Sequence, residues 1–458
     1  MSKRRASREI LLINPWICDF AAYDLWSKPL GLMYVGAALR RNGYRIRLID
    51  CLDRNHPEMQ ELETAGDRKP DGRGKYHREI AEKPGVLKWV PRHFARYGYT
   101  EDVFHSELLA GNMPDAILIT SMMTYWYKGI EQILKHIKDV YPDVPVLVGG
   151  IYPTLCPDHA SGLSGVDHII TGYGEKIAVR WLDEQFDISA PYIPEDPAGN
   201  LDLPWDLYPD LSALVVQTAR GCPYRCTFCA TNILNGHFSQ RSPAVVTDEI
   251  LYHTRKHGID DVVFYDDALF VRKRHHIEVI LQSLIESGES FHFHTPNGLF
   301  ARMIDPALAQ KMADANFRTI RLSLETSDED RRADMSTKVS NRKFLEALDH
   351  LEAAGISGDR VEVYLLMGLP DQREEEVARS LEFVHDAGAV SRLASFTPIP
   401  GTVEFRRAVD RGDLKPDEDP LLWNNTVYAL RNNTWNAGTL HSLREYSNKL
   451  NASLDRAA

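Results

Sequence analysis

Three cysteines share one short segment of the chain, GCPYRCTFC, in which they are Cys222, Cys226 and Cys229. Thiolates are the usual protein ligands of iron–sulfur clusters, and a [4Fe–4S] cluster has four irons to be ligated. Three thiolates would leave one iron without a protein ligand, so that iron could bind a substrate or a cofactor. The segment therefore predicts a cluster that takes part in chemistry as well as carrying electrons.

Zinc and a disulfide are the alternatives for these thiols. A structural zinc site normally needs four N or S ligands. Cys18, Cys51 and Cys156 lie far upstream, and His237 is the candidate for a fourth ligand near the motif. A disulfide is disfavoured because no apolar segment follows the basic first residues, as it would in a secretory signal, and cytosolic thiols stay reduced. The cluster is the favoured interpretation.

The C-x3-C-x2-C spacing resembles the signature of the radical S-adenosylmethionine (SAM) enzymes. The resemblance implies that Cys222, Cys226 and Cys229 ligate a [4Fe–4S] cluster whose open iron chelates SAM, and that reduction cleaves SAM to a 5′-deoxyadenosyl radical. Phe228 matches the family's preference for an aromatic residue before the third cysteine, although a structural aromatic beside the cluster explains it equally well. Such clusters are oxygen-sensitive, which indicates a low-oxygen physiology.

The sequence after residue 212 alternates short apolar runs with helical patterns, which predicts parallel β/α units. The predicted strands are 214–218, 261–265, 291–295, 319–324, 361–367 and 393–396. The helical patterns lie near 244–256, 275–287, 306–315, 342–354 and 374–387. Six units resemble the partial (β/α)6 barrel of radical SAM domains. In such barrels chemistry gathers at the C-terminal ends of the strands.

Polar and small residues stand at these strand ends, which makes them candidates for binding SAM on geometric grounds. Asp266 and Asp267 either hydrogen-bond the SAM amino group or the substrate, or cap a helix. Glu325 matches the family's acidic residue that contacts the ribose hydroxyls, as a carboxylate does in dinucleotide folds. Gly368 would let the adenine ring approach the backbone. With Phe228, the remaining predicted SAM-site residues are Asn297 and Ser323.

Residues 8–186 carry five further strand patterns that alternate with helices, near 9–14, 45–50, 116–120, 146–148 and 168–170. This alternation predicts an α/β domain with a doubly wound, flavodoxin-like (Rossmann-like) sheet, with helices near 126–140, 154–163 and 175–186. Ligands of such sheets bind outside the C-terminal edge, at the topological switch point. The polar residues and glycines at this edge permit a ligand, although ordinary turn chemistry would also explain them.

Together with the I-N-P…P-L-G-L pattern, this half resembles the cobalamin-binding domain that precedes many radical SAM domains. The segment after the first strand, N-P-W-I-C-D-F, has no histidine to ligate cobalt, which also fits a domain that has lost cobalamin. Cys18 is either a thiol near cobalt or a buried inert cysteine. The resemblance implies a cobalamin site at Asn14, Pro29, Gly31, Ser121, Thr124, Gly149, Gly150, Gly172, Gly174 and Glu175.

Three other segments complete the predicted organisation. Residues 53–112 interrupt the first domain with a charged stretch and then an aromatic one, which predicts a cap that faces substrate or packs on the outside of the sheet. Residues 187–212 are rich in Pro and Asp and predict a stiff linker. The barrel is expected over 213–405, and a small helical extension over 406–458 is expected to close its open side.

Composition limits the function classes. With 458 residues and 43% hydrophobic content, the chain can bury two or three cores. The formal net charge of −12 disfavours nucleic acid as a partner. No run of 18 or more apolar residues occurs, so no membrane span is expected, and the protein is expected in the cytoplasm.

The two resemblances together favour a cobalamin-dependent radical SAM methyltransferase. It would transfer a methyl group to an unactivated centre of a small-molecule, lipid or peptide substrate, with an electron donor such as flavodoxin or ferredoxin. The alternatives are cyclisation, rearrangement or oxidoreduction with or without cobalamin, and a non-catalytic corrinoid or redox sensor. A tRNA methylthiotransferase is disfavoured because Cys18, Cys51 and Cys156 do not reproduce the N-terminal cysteine set of those enzymes.

Overall fold

The computed structural model describes residues 3–64, 67–194, 202–336, 339–431 and 435–454. Its contacts divide the chain into two compact units, Met1–Ser212 and Ala213–Ala458. Part of the predicted linker, 195–201, and parts of the predicted C-terminal extension, 432–434 and 455–458, lie outside the described residues. Among the described residues we find no candidate for a membrane-spanning helix.

The first unit is built on a parallel five-stranded sheet in the order β3-β1-β6-β7-β8. Counting only these five strands along the chain, the order is the flavodoxin-like 2-1-3-4-5, which confirms the predicted fold class. The strands of this unit are β1 Glu9–Asn14, β2 Ile17–Asp19, β3 Arg45–Asp50, β4 Arg78–Ile80, β5 Ala95–Tyr97, β6 Ala116–Ile119, β7 Val146–Val148 and β8 His168–Ile169. The helices are α1 Lys3–Ala6, α2 Leu30–Arg41, α3 Pro57–Glu61, α4 Glu101–Leu109, α5 Tyr127–Val140, α6 Ile151–Leu155, α7 Pro157–Ser161 and α8 Glu175–Gln185.

The central strands of this sheet are buried on both faces, as expected when helices cover a parallel sheet on both sides. Ile10 and Leu12 of β1 pack against the apolar faces of α2 and α8, with Leu39 and Leu182 among the buried contacts. The predicted helix over 154–163 is in fact two short helices, α6 and α7. Pro157 begins the second helix, and Cys156 before it has φ −133° and ψ 57°, because the residue before a proline is disfavoured in the helical region.

The insertion 53–112 contains secondary structure of its own. Strands β4 and β5 pair antiparallel, and β5 also pairs with β2, so that a three-stranded sheet joins the insertion to the segment after β1. Tyr97 packs in a small core with Ile17 and Tyr76. Phe94 and Tyr99 are buried as well, whereas Trp89 is 50% exposed. Several of the insertion's aromatic side chains therefore pack the insertion against the segment after β1.

The second unit contains a parallel six-stranded sheet in the order β16-β15-β14-β13-β12-β9, so neighbours in sequence are neighbours in space. This is the predicted series of β/α units. The strands are β9 Leu214–Val216, β10 Ala219–Arg220, β11 Ser239–Gln240, β12 Asp261–Phe264, β13 His292–His294, β14 Phe317–Glu325, β15 Val361–Met367 and β16 Val390–Ser395. The helices are α9 Thr231–Asn235, α10 Pro243–His257, α11 Ile277–Glu286, α12 Pro306–Asp314, α13 Glu329–Met335, α14 Asn341–Ala353, α15 Glu374–Asp386, α16 Val403–Asp410, α17 Asn425–Arg431 and α18 Ala437–Leu454.

Alternation along β14 and β15 separates an apolar face from a polar one. Leu322 and Leu324 are buried on one face of β14, and Arg321 lies on the other, where its Nε donates to Glu362 of β15 at 2.5 Å. Arg392 of β16 also donates to Glu362. This ion-pair row explains why the sixth strand begins at Val390, before the apolar run from which it was predicted.

The C-terminal helix α18 lies against the edge strand β16. Asn451 accepts a hydrogen bond from the Ser391 amide at 2.9 Å and donates one to the Ser391 carbonyl at 3.0 Å, as a neighbouring strand would do. Ser391 is buried, so both of its backbone groups need partners. The side chain of Asn451 thereby protects the sheet edge.

We therefore expect the Asn451→Ala variant to have a free energy of unfolding lower by about 1–3 kcal/mol, because two buried backbone groups lose their partner. Denaturant unfolding measures this change. Asn448→Ala is the matched control, since Asn448 is exposed on the same helix and its loss should change the free energy of unfolding by about 0.5 kcal/mol or less. Equal effects of both substitutions would show that the edge contact contributes nothing.

Candidate functional site

The three cysteines of the motif lie on the loop 222–229, here called the cysteine loop, between β10 and α9. None of them forms a disulfide. Cys222 and Cys226 are buried and Cys229 is partly exposed. Gly221 precedes the loop with φ +78°, a conformation that favours glycine and turns the chain out of β10. The loop stands at the C-terminal end of the first barrel strand, in agreement with the prediction.

Two distant segments hold the cysteine loop. The Thr227 amide donates to the carbonyl of Met335, the last residue of α13, at 3.0 Å. The Thr227 hydroxyl donates to Glu404 Oε1 at 2.7 Å, and the Glu404 amide donates back to the Thr227 carbonyl at 3.1 Å, in the first turn of α16. The contact with Glu404 is reciprocal, and the contact with Met335 joins two backbone groups. Together they fix the part of the loop around Thr227, between the second and third thiols.

The environment of the thiols fits a [4Fe–4S] cluster. The hydroxyl oxygens of Ser336 and Thr231 lie 3.3 Å from Cys226 Sγ and 3.1 Å from Cys229 Sγ, where they would donate to thiolates that ligate iron. Among the described residues, no three His, Cys, Asp or Glu side chains converge where a single ion could be held. A cubane takes each thiolate at a different iron and does not need such convergence.

Asp266, at the end of β12, is turned toward the start of the cysteine loop. Its carboxylate accepts from the Ala219 amide at 2.6 Å, the Thr218 amide at 3.1 Å and the Thr218 hydroxyl at 2.8 Å. Burial raises the pKa of Asp266 to about 7, although the three donors act in the opposite direction. In this structure Asp266 therefore fastens the chain that leads into the cysteine loop.

We expect the contribution of Asp266 to the stability of the apoprotein to fall as the pH rises from about 5 to about 7, and to be constant above about pH 8. The reason is that an unfolded aspartate, with a pKa of about 3.9, is already ionised in that window while the buried carboxyl still holds its proton. The measurement is the difference in the free energy of unfolding between the wild type and Asp266→Asn across this range. A difference that stays constant across this window would show that the pKa is not raised. The Asp267→Asn variant serves as the control.

The other predicted SAM-site residues of the second and third strand ends also have defined partners. Asp267 accepts from the Asn235 amide group at 3.3 Å, on α9. The side chain of Asn297 donates to the Tyr265 carbonyl at 3.1 Å and so binds the end of β13 to the end of β12. Phe228 is partly exposed within the cysteine loop.

Glu325 has a strained backbone. It ends β14 with φ +69°, in the left-handed region that non-glycine residues rarely adopt, and the pairing register with β15 shifts between Ser323 and Glu325. Such strain costs about 1–3 kcal/mol and is typical of functional positions. Ser323 faces Gly298, where a Cβ would lie 2.0 Å from the Ser323 hydroxyl, so Gly298 is a site residue that the sequence analysis did not single out.

Gly368 follows β15 with φ +92°, and no atom lies within 4 Å of where its Cβ would be. The backbone conformation therefore requires glycine, and the space before it is open to a flat ligand. The buried Gln372 accepts from the Gly368 amide at 2.8 Å and donates to the Leu366 carbonyl at 3.0 Å. These contacts fix the turn.

In the first unit, two hydroxyls organise the glycine turns at the C-terminal edge of the sheet. The Ser121 hydroxyl donates to the Gly149 carbonyl at 2.9 Å, and a Cβ on Gly150 would lie 2.5 Å from the Ser121 carbonyl oxygen. The Thr154 hydroxyl donates to the Gly150 carbonyl at 2.7 Å and accepts from the Gly172 amide at 2.9 Å. These contacts bring together the turns after β6, β7 and β8.

Asn14 faces a different group. Its side chain donates to Asp50 at 2.6 Å, and Asp50 also accepts from the Tyr208 hydroxyl at 2.7 Å. Lys28, which precedes the predicted Pro29, lies 3.0 Å from Asp53 and 3.9 Å from Asp50. Burial raises the pKa of Asp50. This buried ionic group forms the β3 side of the sheet edge, next to the switch point between β1 and β6.

The remaining residues predicted for cobalamin lie along the same edge of the sheet. Pro29 is the residue before α2, and a Cβ on Gly31 or on Gly172 would meet no atom within 4 Å, so both glycines face open space. Thr124 is buried in the turn after β6. Gly174 and Glu175 begin α8. An edge with open glycines and a hydroxyl-fixed turn fits a large, flat ligand such as a corrin.

The three upstream cysteines, Cys18, Cys51 and Cys156, are buried in the first unit. Burial raises the pKa of Cys18 and of Cys156 to about 12, and it also raises the pKa of Cys51, so all three hold their protons at neutral pH. Cys18 Sγ lies 3.7 Å from Gln132 Oε1. These are the properties of inert buried thiols.

Comparison with known families agrees with this geometry. Residues 216–384 match the radical SAM superfamily, and residues 105–181 match the B12 binding domain. The chain contains a radical SAM domain and a B12-binding domain. The predicted cofactors, a [4Fe–4S] cluster, SAM and cobalamin, are those of these two domains.

Relatives of this radical SAM enzyme include methyltransferases and a cyclase. The cytidylyl-2-hydroxyethylphosphonate methyltransferase of Streptomyces wedmorensis is 24% identical over 90% of this chain and 84% of its own. The anaerobic magnesium-protoporphyrin IX monomethyl ester cyclase of Rubrivivax gelatinosus is 22% identical over 74% of this chain and 69% of its own. The radical SAM methyltransferase TsrM of Kitasatospora setae has the same fold, with a TM-score of 0.67 at 15% identity over 97% of this chain and 89% of its own.

Sequence reasoning did not identify several residues that build these sites. Gln372 and Thr154 lie within a few positions of predicted glycines, so the turn sequences could have indicated them. Ser336 and Glu404 are far from the cysteines in sequence and had no such signal, because their contacts exist only in the folded barrel.

Proposed function

We propose that this enzyme is a cobalamin-dependent radical SAM methyltransferase that acts on a small molecule in the cytoplasm, where thiols stay reduced. The observation that carries the proposal is the presence, in one chain, of a cysteine loop built for a cluster and a sheet edge built for a corrin. SAM at the cluster supplies a 5′-deoxyadenosyl radical, and cobalamin carries the methyl group. The similarity to a phosphonate-substrate methyltransferase supports a small-molecule substrate.

In this proposal the chain's own residues bind and orient the cofactors. Cys222, Cys226 and Cys229 hold the cluster. Glu325 would accept from the ribose hydroxyls of SAM, and Gly368 would leave room for the adenine. Asp266 is a positioning residue for the cysteine loop. Asn297 and Ser323 line the strand ends near SAM, with Phe228 and Asp267.

The corrin is assigned to the C-terminal edge of the first unit's sheet. Gly149 and Gly150 let the turn after β7 pack closely on Ser121 and Ile170, and Gly172 faces open space where a ligand could lie against the backbone. The turn glycines and hydroxyls around them complete the assignment, together with Asn14, Pro29, Gly31, Ser121, Thr124, Gly174 and Glu175.

The test is anaerobic reconstitution with iron, sulfide and cobalamin, followed by incubation with methyl-labelled SAM and a chemical reductant. We expect about four irons and one corrinoid per chain. Label should reach the corrinoid, and 5′-deoxyadenosine should form. Release of 5′-deoxyadenosine with no label on the corrinoid would contradict methyl transfer. It would favour the second candidate, a cyclisation or rearrangement, which the similarity to the Rubrivivax cyclase supports.

A further inference from the structure

Four exposed arginines lie in the cysteine loop or in the segments that follow β12 and β13. They are Arg225 within the loop, Arg272 and Arg274 after β12, and Arg302 after β13. We call them the basic patch. The chain as a whole has a formal net charge of −12, so a concentration of cations at this place is contrary to the average of the surface.

Direct contacts connect the basic patch to the thiols. Cys222 packs in one apolar cluster with Val271, which precedes Arg272, and with Phe300. The ring of Tyr224 meets that of Phe300 with centroids 5.0 Å apart, and the Arg302 guanidinium lies 4.8 Å from the Tyr224 ring centroid. Arg302 therefore lies beside the part of the loop that carries the first cysteine, and Arg272 directly follows a residue that packs with Cys222.

Two acidic groups near the basic patch, Asp305 and Glu278, pair with Lys273. Their carboxylates lie 2.6 Å and 3.6 Å from Lys273 Nζ, respectively. Lys273 lies between Arg272 and Arg274 and balances part of the negative charge of these two acids. Asp267 accepts from Asn235 of α9 at 3.3 Å. The patch keeps an excess of positive charge that is carried by side chains in contact with solvent.

We infer that the basic patch is the docking surface for an acidic one-electron donor protein. The inference rests on the proposed function, because a cluster that cleaves SAM must receive an electron from outside. The donor would be oxidised by one electron and the cluster held by the cysteine loop reduced by one, with no proton or leaving group transferred. Complementary charge would speed the encounter and orient the donor toward the loop.

The test compares two double variants of the reconstituted enzyme with the same change in net charge. Arg272→Glu/Arg274→Glu reverses half of the patch. Arg318→Glu/Arg342→Glu reverses two exposed arginines, on β14 and α14, that do not belong to it. The probe is a bacterial flavodoxin, whose affinity is measured by calorimetry and whose electron transfer is measured by flavodoxin-driven SAM cleavage.

We expect the patch variant to bind flavodoxin at least about tenfold more weakly at low salt and to lose flavodoxin-driven cleavage to a similar degree. Dithionite-driven cleavage should stay at the wild-type level. Raising the ionic strength should slow the flavodoxin-driven reaction of the wild type much more than that of the variant. The control variant should match the wild type in flavodoxin affinity, in both cleavage reactions and in the effect of ionic strength.

An unchanged flavodoxin affinity in the patch variant, or an equal loss in the control variant, would overturn the inference. Failure of the wild type to cleave SAM even with dithionite would instead contradict the proposed function. The affinity measurement still tests the docking surface in that case, because it does not depend on turnover.

Discussion

The Cys226→Ala variant is expected to lose its iron, from about four atoms per chain to less than one, and with it all cleavage of SAM. Cys226 is the middle of three thiols on a loop that several backbone contacts hold in place, and two thiolates would not retain a cubane. The corrinoid content should not change, because the B12-binding domain belongs to the other unit of the chain. Iron, sulfide and corrinoid analysis after anaerobic reconstitution measures both cofactors in one sample.

Cys156→Ala is the matched control for this experiment. Cys156 is also a buried thiol, and burial raises its pKa to about 12. It lies between α6 and α7 of the first unit and does not belong to the cysteine loop. Iron content and SAM cleavage should therefore equal those of the wild type. A Cys226→Ala protein that keeps four irons would mean that another group completes the cluster. The loss of iron in Cys156→Ala would contradict the assignment to the cysteine loop.

The parts of the fold that the sequence predicted well are those with strong local signals. Each parallel strand, such as β15 with V-E-V-Y-L-L-M, is a short run rich in β-branched and apolar residues between two helical patterns. The cysteine motif is also local, so the spacing of its three thiols is enough to locate the candidate site. The break between α6 and α7 could have been predicted too, because Pro157 is visible in the sequence.

The parts that could not be predicted depend on contacts between distant segments. Strands β4 and β5 have only three residues each, and β5 pairs with β2, far away in sequence. The direction of the Asp266 side chain is another case. The sequence pattern puts this carboxylate at a strand end, where it could face a ligand or a backbone, and only the folded barrel shows that it faces Thr218 and Ala219.

Glu325→Ala is expected to weaken the binding of SAM about 10- to 100-fold, because hydrogen bonds to a charged group contribute about 1.5–3 kcal/mol. In the proposed site this carboxylate accepts from two vicinal hydroxyls of the ribose. Equilibrium binding of SAM to the reconstituted protein measures the change. Iron and corrinoid contents should remain those of the wild type, since Glu325 ligates neither cofactor in the proposal.

Glu325→Gly separates the function of this residue from its strain. Glycine and alanine both lack the carboxylate, so both variants should lose SAM affinity to the same degree. Glycine, however, adopts the left-handed conformation at φ +69° without the penalty of about 1–2 kcal/mol that alanine would keep. The apoprotein of Glu325→Gly should therefore unfold at a higher temperature than that of Glu325→Ala. Lower stability of the glycine variant would show that the strained backbone is not maintained in solution, and unchanged SAM affinity in both variants would exclude the ribose contact. If both expectations hold, the chain tolerates a strained residue at the end of β14 because its carboxylate is needed for SAM.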